Sequence, residues 1–216
     1  MKVRTALISV SDKAGLAEFA SELAKNGVKI ISSGGTYEFL RKNAIPAGKV
    51  EDTTGFPQML DGRVKTLHPK IHGGILAKRS RSHLAQLKEH GIEPVDLVVV
   101  NLYPFSGAIA KKGASLEDAV ENIDIGGPSL IRGAAKNHSS VGVVVDPAQY
   151  QRVLEDLRAN KFSLSPKMKK ELMVEAYRHT AFYDSLVADY FAKKYGAEMF
   201  PGKFAIGLSR VSNLRY

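Results

Sequence analysis

The stretch Val3–Ser32, VRTALISVSDKAGLAEFASELAKNGVKIIS, decides the fold class. It opens with Val3–Val10, a short apolar run rich in β-branched side chains that is typical of a buried strand. The segment Ala14–Lys25 then places apolar residues at helical spacing, and Asn26-Gly27 supplies a left-handed cap for its end. Val28–Ser32 is a second strand candidate. A strand, a helix and a second strand in this order indicate an α/β layered fold.

The rest of the first 150 residues continues this alternation. Thr36–Asn43 predicts a second helix that starts beyond Gly34-Gly35, and Asp96–Leu102 and Val141–Val145 predict two further strands. These strands are almost continuously apolar, which favours a mainly parallel sheet flanked by helices on both faces. Residues 51–80 show no clear periodicity, and we expect an irregular, functional segment there.

The last third of the chain is expected to be helical. The chain turns helical after Asp146-Pro147, and the apolar positions from about Pro166 to Lys194 keep one helical face. Such a face normally packs against the protein itself or against a partner. We therefore expect one domain at residues 1–195, including a C-terminal helical extension, and a connector at residues 196–216.

The composition excludes several classes of protein. Of the 216 residues, 44% are hydrophobic and 25% are charged, which excludes intrinsic disorder. The absence of cysteine excludes disulfides, thiolate catalysis and sulfur-ligated zinc. No apolar run approaches the roughly 18 residues of a membrane span, and no leader peptide is expected.

The formal charge of +9 is spread along the chain. Residues 1–150 hold 19 basic and 15 acidic side chains, and residues 151–216 hold 12 and 7. A nucleic-acid-binding protein more often concentrates its basic residues in a stripe with aromatic residues between them, and tryptophan is absent here. The charge therefore favours an anionic small molecule as the ligand.

Two polar turns follow the first two predicted strands. They are Ser9–Lys13 and Ser32–Thr36. In parallel sheets the loops at the carboxyl ends of the strands converge on one crevice, and a helix start offers backbone N–H groups to an anion. The pattern predicts a phosphate site made of hydroxyls, backbone N–H groups and a lysine. The alternative is that these polar residues only cap the helices.

Arg63–Pro69 offers two cations, a hydroxyl and an imidazole within a few positions. Such a segment holds or polarises a substrate, with Lys65 as a proton donor or charge stabiliser, or else it is an exposed basic loop. His68 and His72 alone do not make a metal site, because Pro69 intervenes and no third ligand is near.

Two further segments carry candidate groups. In Asn101–Phe105, Tyr103 precedes a proline and is held extended, so its hydroxyl either faces the crevice or covers the edge of the core. In Asp124–Pro128, Gly126-Gly127 allows a ligand to approach backbone donors, and Asp124 either accepts a proton or caps the helix that follows.

These segments resemble a known family. Arg63–Pro69 with Gly73-Gly74, Asn101–Phe105, Glu121–Pro128 and Ala134–His138 are similar to the amino-terminal domain of bifunctional purine-biosynthesis enzymes. Those enzymes pair an inosine monophosphate cyclohydrolase with a folate-dependent transformylase, and the resemblance covers essentially the whole chain. It implies a methylglyoxal-synthase-like α/β domain that closes the formylated aminoimidazole carboxamide ribonucleotide to inosine monophosphate and releases water.

The resemblance also implies roles for individual residues. The matched catalytic positions are Lys65, Tyr103, Asp124 and Lys136. The matched phosphate-binding positions are Ser9, Ser11, Lys13, Ser33, Gly34, Gly35 and Thr36. The positions matched to ribose and base are Arg63, Thr66, Asn101, Gly126 and Gly127.

In the implied mechanism Asp124, with Lys136, removes a proton from the amide nitrogen, and Lys65 with Tyr103 protonates the formyl oxygen. A straight helix from Pro128 to Lys136 would separate its ends by about 12 Å. The pairing of Asp124 with Lys136 therefore comes from the resemblance alone.

The resemblance implies a small-molecule partner, a purine precursor ribonucleotide, and neither cofactor nor metal. A cytoplasmic homodimer that binds neither nucleic acid nor membrane is expected. The family continues beyond Tyr216 into a transformylase domain, so we expect an isolated domain, truncated near the junction, without transformylase activity. Two alternatives are a non-catalytic sensor of phosphate ligands on the same fold and a nucleic-acid binder with steeply salt-dependent affinity.

Overall fold

A parallel sheet forms the centre of the fold. The computed structural model describes residues 2–110, 113–198 and 200–212. Within them the strands are β1 (Thr5–Ile8), β2 (Lys29–Ser32), β3 (Gly48–Lys49), β4 (Leu97–Val99) and β5 (Gly142–Val144). They form one five-stranded sheet in the order β3-β2-β1-β4-β5, and each pairing is parallel. The predicted α/β fold with a parallel sheet is confirmed; the short edge strand β3 was not predicted.

Helices make up most of the remaining structure. In the described residues they are α1 (Leu16–Lys25), α2 (Gly34–Lys42), α3 (Val50–Thr54), α4 (Pro69–Leu76), α5 (Arg81–Glu89), α6 (Phe105–Ile109), α7 (Leu116–Glu121), α8 (Gly126–Lys136), α9 (Tyr150–Ala159) and α10 (Pro166–Tyr195). Short 3₁₀ turns cover Leu60–Gly62 and Pro147–Gln149. The predicted C-terminal helical extension is present as α9 and α10. Across the described ranges, no helix is long and apolar enough to cross a membrane.

The central strand β1 sets the position of the loops that matter for function. Ala6, Leu7 and Ile8 are fully buried. Ile8 lies opposite Ser32 of β2 and Val99 of β4 in the register of the sheet. Because the three strands end at the same level, the loops that follow them emerge side by side at the carboxyl edge.

The prediction of an irregular segment at residues 51–80 is wrong for its helical parts, although residues 55–59, 63–68 and 77–80 are irregular. This segment contains α3, a 3₁₀ turn and α4. The His68 side chain accepts the Lys70 N–H at 3.1 Å and Pro69 occupies the first turn, which together start α4. A Cβ at Gly74 would lie 2.5 Å from the Glu93 carbonyl oxygen. Gly74 therefore marks close packing of a helix and not a loop.

The chain divides into two compact units. The first comprises Met1–Tyr103 and Asp124–Tyr177 and contains the whole sheet. The second comprises Pro104–Ile123 and Arg178–Tyr216 and has an aromatic cluster around Phe105, with ring centroids 5.5 to 6.4 Å apart.

The predicted domain boundary between residues 195 and 196 stays a prediction. Residues 199 and 213–216 of the predicted connector lie outside the described residues.

Candidate active site

Hydrogen bonds tie the loops after β1 and β2 to each other. Thr36 Oγ1 accepts the Val10 N–H and donates to the Val10 carbonyl oxygen, both at 3.0 Å. The Ser9 and Ser33 hydroxyl oxygens lie 3.4 Å apart. The two predicted phosphate loops therefore meet at the carboxyl edge of the sheet. The buried Thr36 hydroxyl gives its proton to Val10, so this side chain holds the loops together.

The start of α2 has backbone N–H groups that are unpaired among the described residues, as the predicted phosphate site requires. Ser33 is the N-cap residue and, within the described chain, its side chain makes no cap bond. The N–H groups of the first turn therefore have neither an intrahelical nor a capping partner there. Gly34 and Gly35 are exposed, and Lys65 Nζ lies 3.7 Å from the position that a Cβ at Gly34 would take. Lys65 adds its charge to the positive end of the helix dipole.

Asn101 connects the loop after β4 to the loop after β1. Its Oδ1 accepts the N–H groups of Ser11 at 2.7 Å and Asp12 at 2.9 Å, and its Nδ2 donates to the Asp12 carbonyl oxygen at 2.9 Å. Lys13 Nζ donates to the carbonyl oxygens of Val10 and Ser11 at 3.5 and 3.1 Å. Sequence reasoning missed the bonds of Asn101; its place directly beyond a buried strand was the only signal.

Asp124 lies half-buried just before α8. Its Oδ1 accepts the Gly127 N–H at 2.8 Å, and the Tyr103 backbone also bonds to the carboxylate. Burial raises the pKa of Asp124 above its ordinary value, while the two backbone bonds and the charge of Lys65 oppose this shift. A carboxylate with a raised pKa beside a cation is suited to accept a proton.

The glycines at the start of α8 make room for this carboxylate. A Cβ at Gly127 would lie 2.5 Å from Asp124 Oδ2 and 2.6 Å from Leu102 Cδ2. A Cβ at Gly126 would lie 3.0 Å from Thr66 Oγ1. Glycine is therefore required for the close approach of Asp124, and it brings the buried Thr66 against the first turn of α8.

Tyr103 and Arg63 are also exposed. The Tyr103 side chain is 56% exposed, so its phenol is accessible to a ligand. Arg63 follows the 3₁₀ turn Leu60–Gly62, in which Leu60 and Asp61 adopt positive φ values of 53° and 55°. Non-glycine residues rarely adopt this conformation, and such strain is concentrated in functional loops.

The structure does not bring Lys136 to Asp124. Helix α8 is continuous from Gly126 to Lys136, so these two positions are separated by ten rises, or about 15 Å. Asp124 precedes the first of these positions, and the exposed Lys136 occupies the last. The expected pairing is therefore corrected: the cation that acts on Asp124 is Lys65.

No cluster of three or more potential metal-binding side chains occurs among the residues described. His68 Nδ1 accepts the Lys70 N–H and so caps α4. Burial lowers the pKa of His72, which favours its neutral form.

Two family models match the chain. Residues 15–129 match the MGS-like domain, and residues 134–216 match the AICARFT/IMPCHase bienzyme. The chain is 49% identical over 217 aligned residues to the bifunctional purine biosynthesis protein PurH of Bacillus subtilis (strain 168). That alignment covers all of this chain and 42% of the relative, so the chain spans less than half of the relative's length.

Among solved structures, the chain is similar to the crystal structure of ForH. The TM-score is 0.78 at 34% sequence identity, and the match covers 88% of this chain and 100% of ForH.

Proposed function

Because the chain belongs to the family of MGS-like domains and continues into a match with the AICARFT/IMPCHase bienzyme, we propose that it is an inosine monophosphate cyclohydrolase, a cyclic-amidine hydrolase. The reaction closes 5-formamidoimidazole-4-carboxamide ribonucleotide to inosine monophosphate and releases water. The observation that carries the proposal is the convergence of three groups at one edge of the sheet: the anion site of α2, the Asp124 carboxylate and Lys65 between them.

The substrate phosphate is assigned to the start of α2. In this proposal the phosphate accepts bonds from the backbone N–H groups of Gly34, Gly35 and Thr36 and from the hydroxyl of Ser33. The Lys65 Nζ, 3.7 Å from the position of a Cβ at Gly34, supports it. The loop after β1 adds the Ser9 and Ser11 hydroxyls and the Lys13 ammonium. The free N–H groups and the dipole of a helix N-terminus favour anion binding. We assign Arg63, Thr66 and Gly126 to the ribose and base; of these, Thr66 Oγ1 lies 3.0 Å from the position of a Cβ at Gly126.

Ring closure joins two groups of one substrate, so orientation supplies much of the rate. The carboxamide nitrogen gives a proton to Asp124 as its bond to the formyl carbon forms. The formyl oxygen takes a proton from Lys65 or Tyr103 and becomes a hydroxyl. After a second protonation it leaves as water, and the former formamide nitrogen loses its proton to leave a carbon–nitrogen double bond.

The test is turnover by the purified chain. The formylated ribonucleotide is supplied and inosine monophosphate is followed by its ultraviolet absorbance, with Asp124→Asn as the inactive control. We expect turnover by the wild-type chain and a loss of about 10² to 10⁴ in the variant, the usual contribution of a general base. Binding of the nucleotide without turnover at micromolar enzyme would reject the proposal and favour a sensor of phosphate ligands.

A cytoplasmic location and a homodimer are parts of the same proposal. The lack of cysteine is compatible with a reducing compartment. Sedimentation at micromolar concentration tests the homodimer, since a monomer would contradict it. Fractionation of cells that produce the chain tests the location.

A further inference from the structure

We infer that Asn101 is a positioning residue that fixes the phosphate-binding loop, and that it does not read the ribose or base of the nucleotide. This inference deepens the proposed function and rests on it. It concerns the segment after β4, which reaches the phosphate loop at one end and the catalytic carboxylate at the other.

The polar atoms of Asn101 are already engaged. Its Oδ1 accepts two backbone N–H groups, from Ser11 and Asp12, and an amide oxygen has two lone pairs to offer. Its Nδ2 donates to the Asp12 carbonyl oxygen. The side chain is 8% exposed. Its Oδ1 therefore has no acceptor capacity left for a ribose hydroxyl, one of the two N–H groups of Nδ2 is also used, and the three short bonds fix the path of the loop.

The same loop is held from its other side by Thr36. The Thr36 hydroxyl makes two bonds to the backbone of Val10, directly before the residues that Asn101 holds. The Thr36 and Asn101 side chains occupy the N–H groups of Val10, Ser11 and Asp12. These three N–H groups are therefore not available to an anion, which would bind the side chains of the loop. Ser11 and Lys13 are correctly placed only while both anchors remain.

The segment also reaches the catalytic carboxylate. Two residues beyond Asn101, the Tyr103 backbone bonds to Asp124, and Leu102 between them is in contact range of the Gly127 position. Residues 101–103 thus connect the phosphate loop to Asp124 through short backbone contacts. The separation between phosphate and reacting amide is set by this segment.

The test compares two ligands that differ only in phosphate. Affinities for inosine monophosphate and for inosine are measured by calorimetry with the wild-type chain, Asn101→Ala and Asn101→Asp. We expect affinity for the monophosphate to fall about tenfold in Asn101→Ala, the usual effect of losing such bonds, while affinity for inosine is unchanged. Asn101→Asp keeps the Oδ1 acceptor for the Ser11 and Asp12 N–H groups but replaces the Nδ2 donor with an oxygen that faces the Asp12 carbonyl oxygen. This loss and the added charge beside the phosphate loop should also lower affinity for the monophosphate alone.

Thr36 supplies an independent rescue. Thr36→Ser keeps the hydroxyl and should bind inosine monophosphate like the wild-type chain, whereas the isosteric Thr36→Val should lose affinity for it selectively. Asn137→Ala is the matched control, because Asn137 is a buried asparagine that donates to the Ile75 and Ala77 carbonyl oxygens away from the loop. It should lower the melting temperature and leave the preference for the monophosphate unchanged.

Two results would overturn the inference. Equal loss of affinity for inosine and its monophosphate in Asn101→Ala would mean that Asn101 contacts the nucleoside. Unchanged affinity for both, with a melting temperature lowered as in Asn137→Ala, would mean that it supports the fold only. Turnover of the wild-type chain is measured in parallel, so that failure of ring closure is recorded separately from the phosphate dependence of binding.

Discussion

At the scale of single residues, Asp124 combines two opposing influences. Burial raises its pKa, and the Lys65 charge and two backbone bonds lower it. The carboxyl group stays ionised only when pH is above this raised pKa, so activity that needs the ionised base is lost as pH falls through it. The two influences can be separated by removing the cation alone.

Lys65→Met should raise the pKa of Asp124 further, because the variant removes a favourable interaction with the ionised form. The measurement is a carbon-13 NMR titration of the Asp124 carboxyl group. Lys25→Met, at the end of α1, serves as the control and should leave the titration unchanged. An unaltered or lowered Asp124 pKa in Lys65→Met would show that the two groups are not coupled.

Gly127→Ala should displace Asp124 and so lower kcat, with a smaller effect on the free energy of unfolding. The added methyl group would meet Asp124 Oδ2 and Leu102, and a displaced base costs about 10²-fold in rate. Gly107→Ala is a matched control within a helix, since its Cβ would meet Pro104 only at an ordinary 3.7 Å. Near-normal kcat in Gly127→Ala would mean that Asp124 does not need its present position.

At this scale the sequence predicted the residue types of the site better than their contacts. The two phosphate loops and Asp124 were predicted from their places after strands and before a helix, and they do come together. The bonds of Asn101 and Thr36 to the Val10–Asp12 backbone were not predictable, because they depend on the register of three separate strands.

At the scale of elements, the length of α8 decides which lysine acts on Asp124. Sequence patterns predicted the apolar face of this helix but not where its first turn begins, which is Gly126. Likewise α4 was not predicted, because residues 51–80 show no clear periodicity, yet its Gly74 allows close packing against the backbone of Glu93. Glycine is ambiguous in a sequence, since it serves both turns and close contacts.

Lys136→Ala should retain ring closure within about threefold of the wild-type rate, because about 15 Å of helix separates this lysine from the start of α8. Lys65→Ala should lose at least tenfold in kcat/KM by the usual contribution of an acid–base group. The measurement is steady-state turnover of the formylated ribonucleotide by both variants. A loss in Lys136→Ala as large as that in Lys65→Ala would restore the pairing that the resemblance implies.

At the scale of the whole molecule, the carboxyl edge of the sheet serves the candidate site, whereas the amino edge contributes to stability. At the amino edge Asp96 accepts the N–H groups of Arg4 and Thr5 and pairs with Arg79 at 3.1 Å, with both side chains mostly buried. This buried pair ties the beginnings of β1 and β4 together.

Asp96→Ala should therefore lower the free energy of unfolding by about 3–5 kcal/mol, since it removes the only carboxylate paired with the mostly buried Arg79 in the described residues and leaves the Arg4 and Thr5 N–H groups without their acceptor. Glu93→Ala, which removes the exposed pair with Lys29, should change it by at most about 1 kcal/mol. Urea unfolding measures both. Lost activity in folded Asp96→Ala protein would contradict the division of tasks between the edges.

The central position of β1 has a consequence for biosynthesis. β1 precedes the other strands of this sheet in the chain, and it pairs with β4, in which Leu97 lies 91 positions beyond its partner Ala6. Such distant pairings slow folding. A growing chain thus carries both phosphate loops well before Asp124 has been added. Until β4 arrives, the apolar flank of β1 is open to aggregation or to a chaperone. Nucleotide supplied during translation therefore cannot help the site to form early, because the site forms only after β4 has paired with β1.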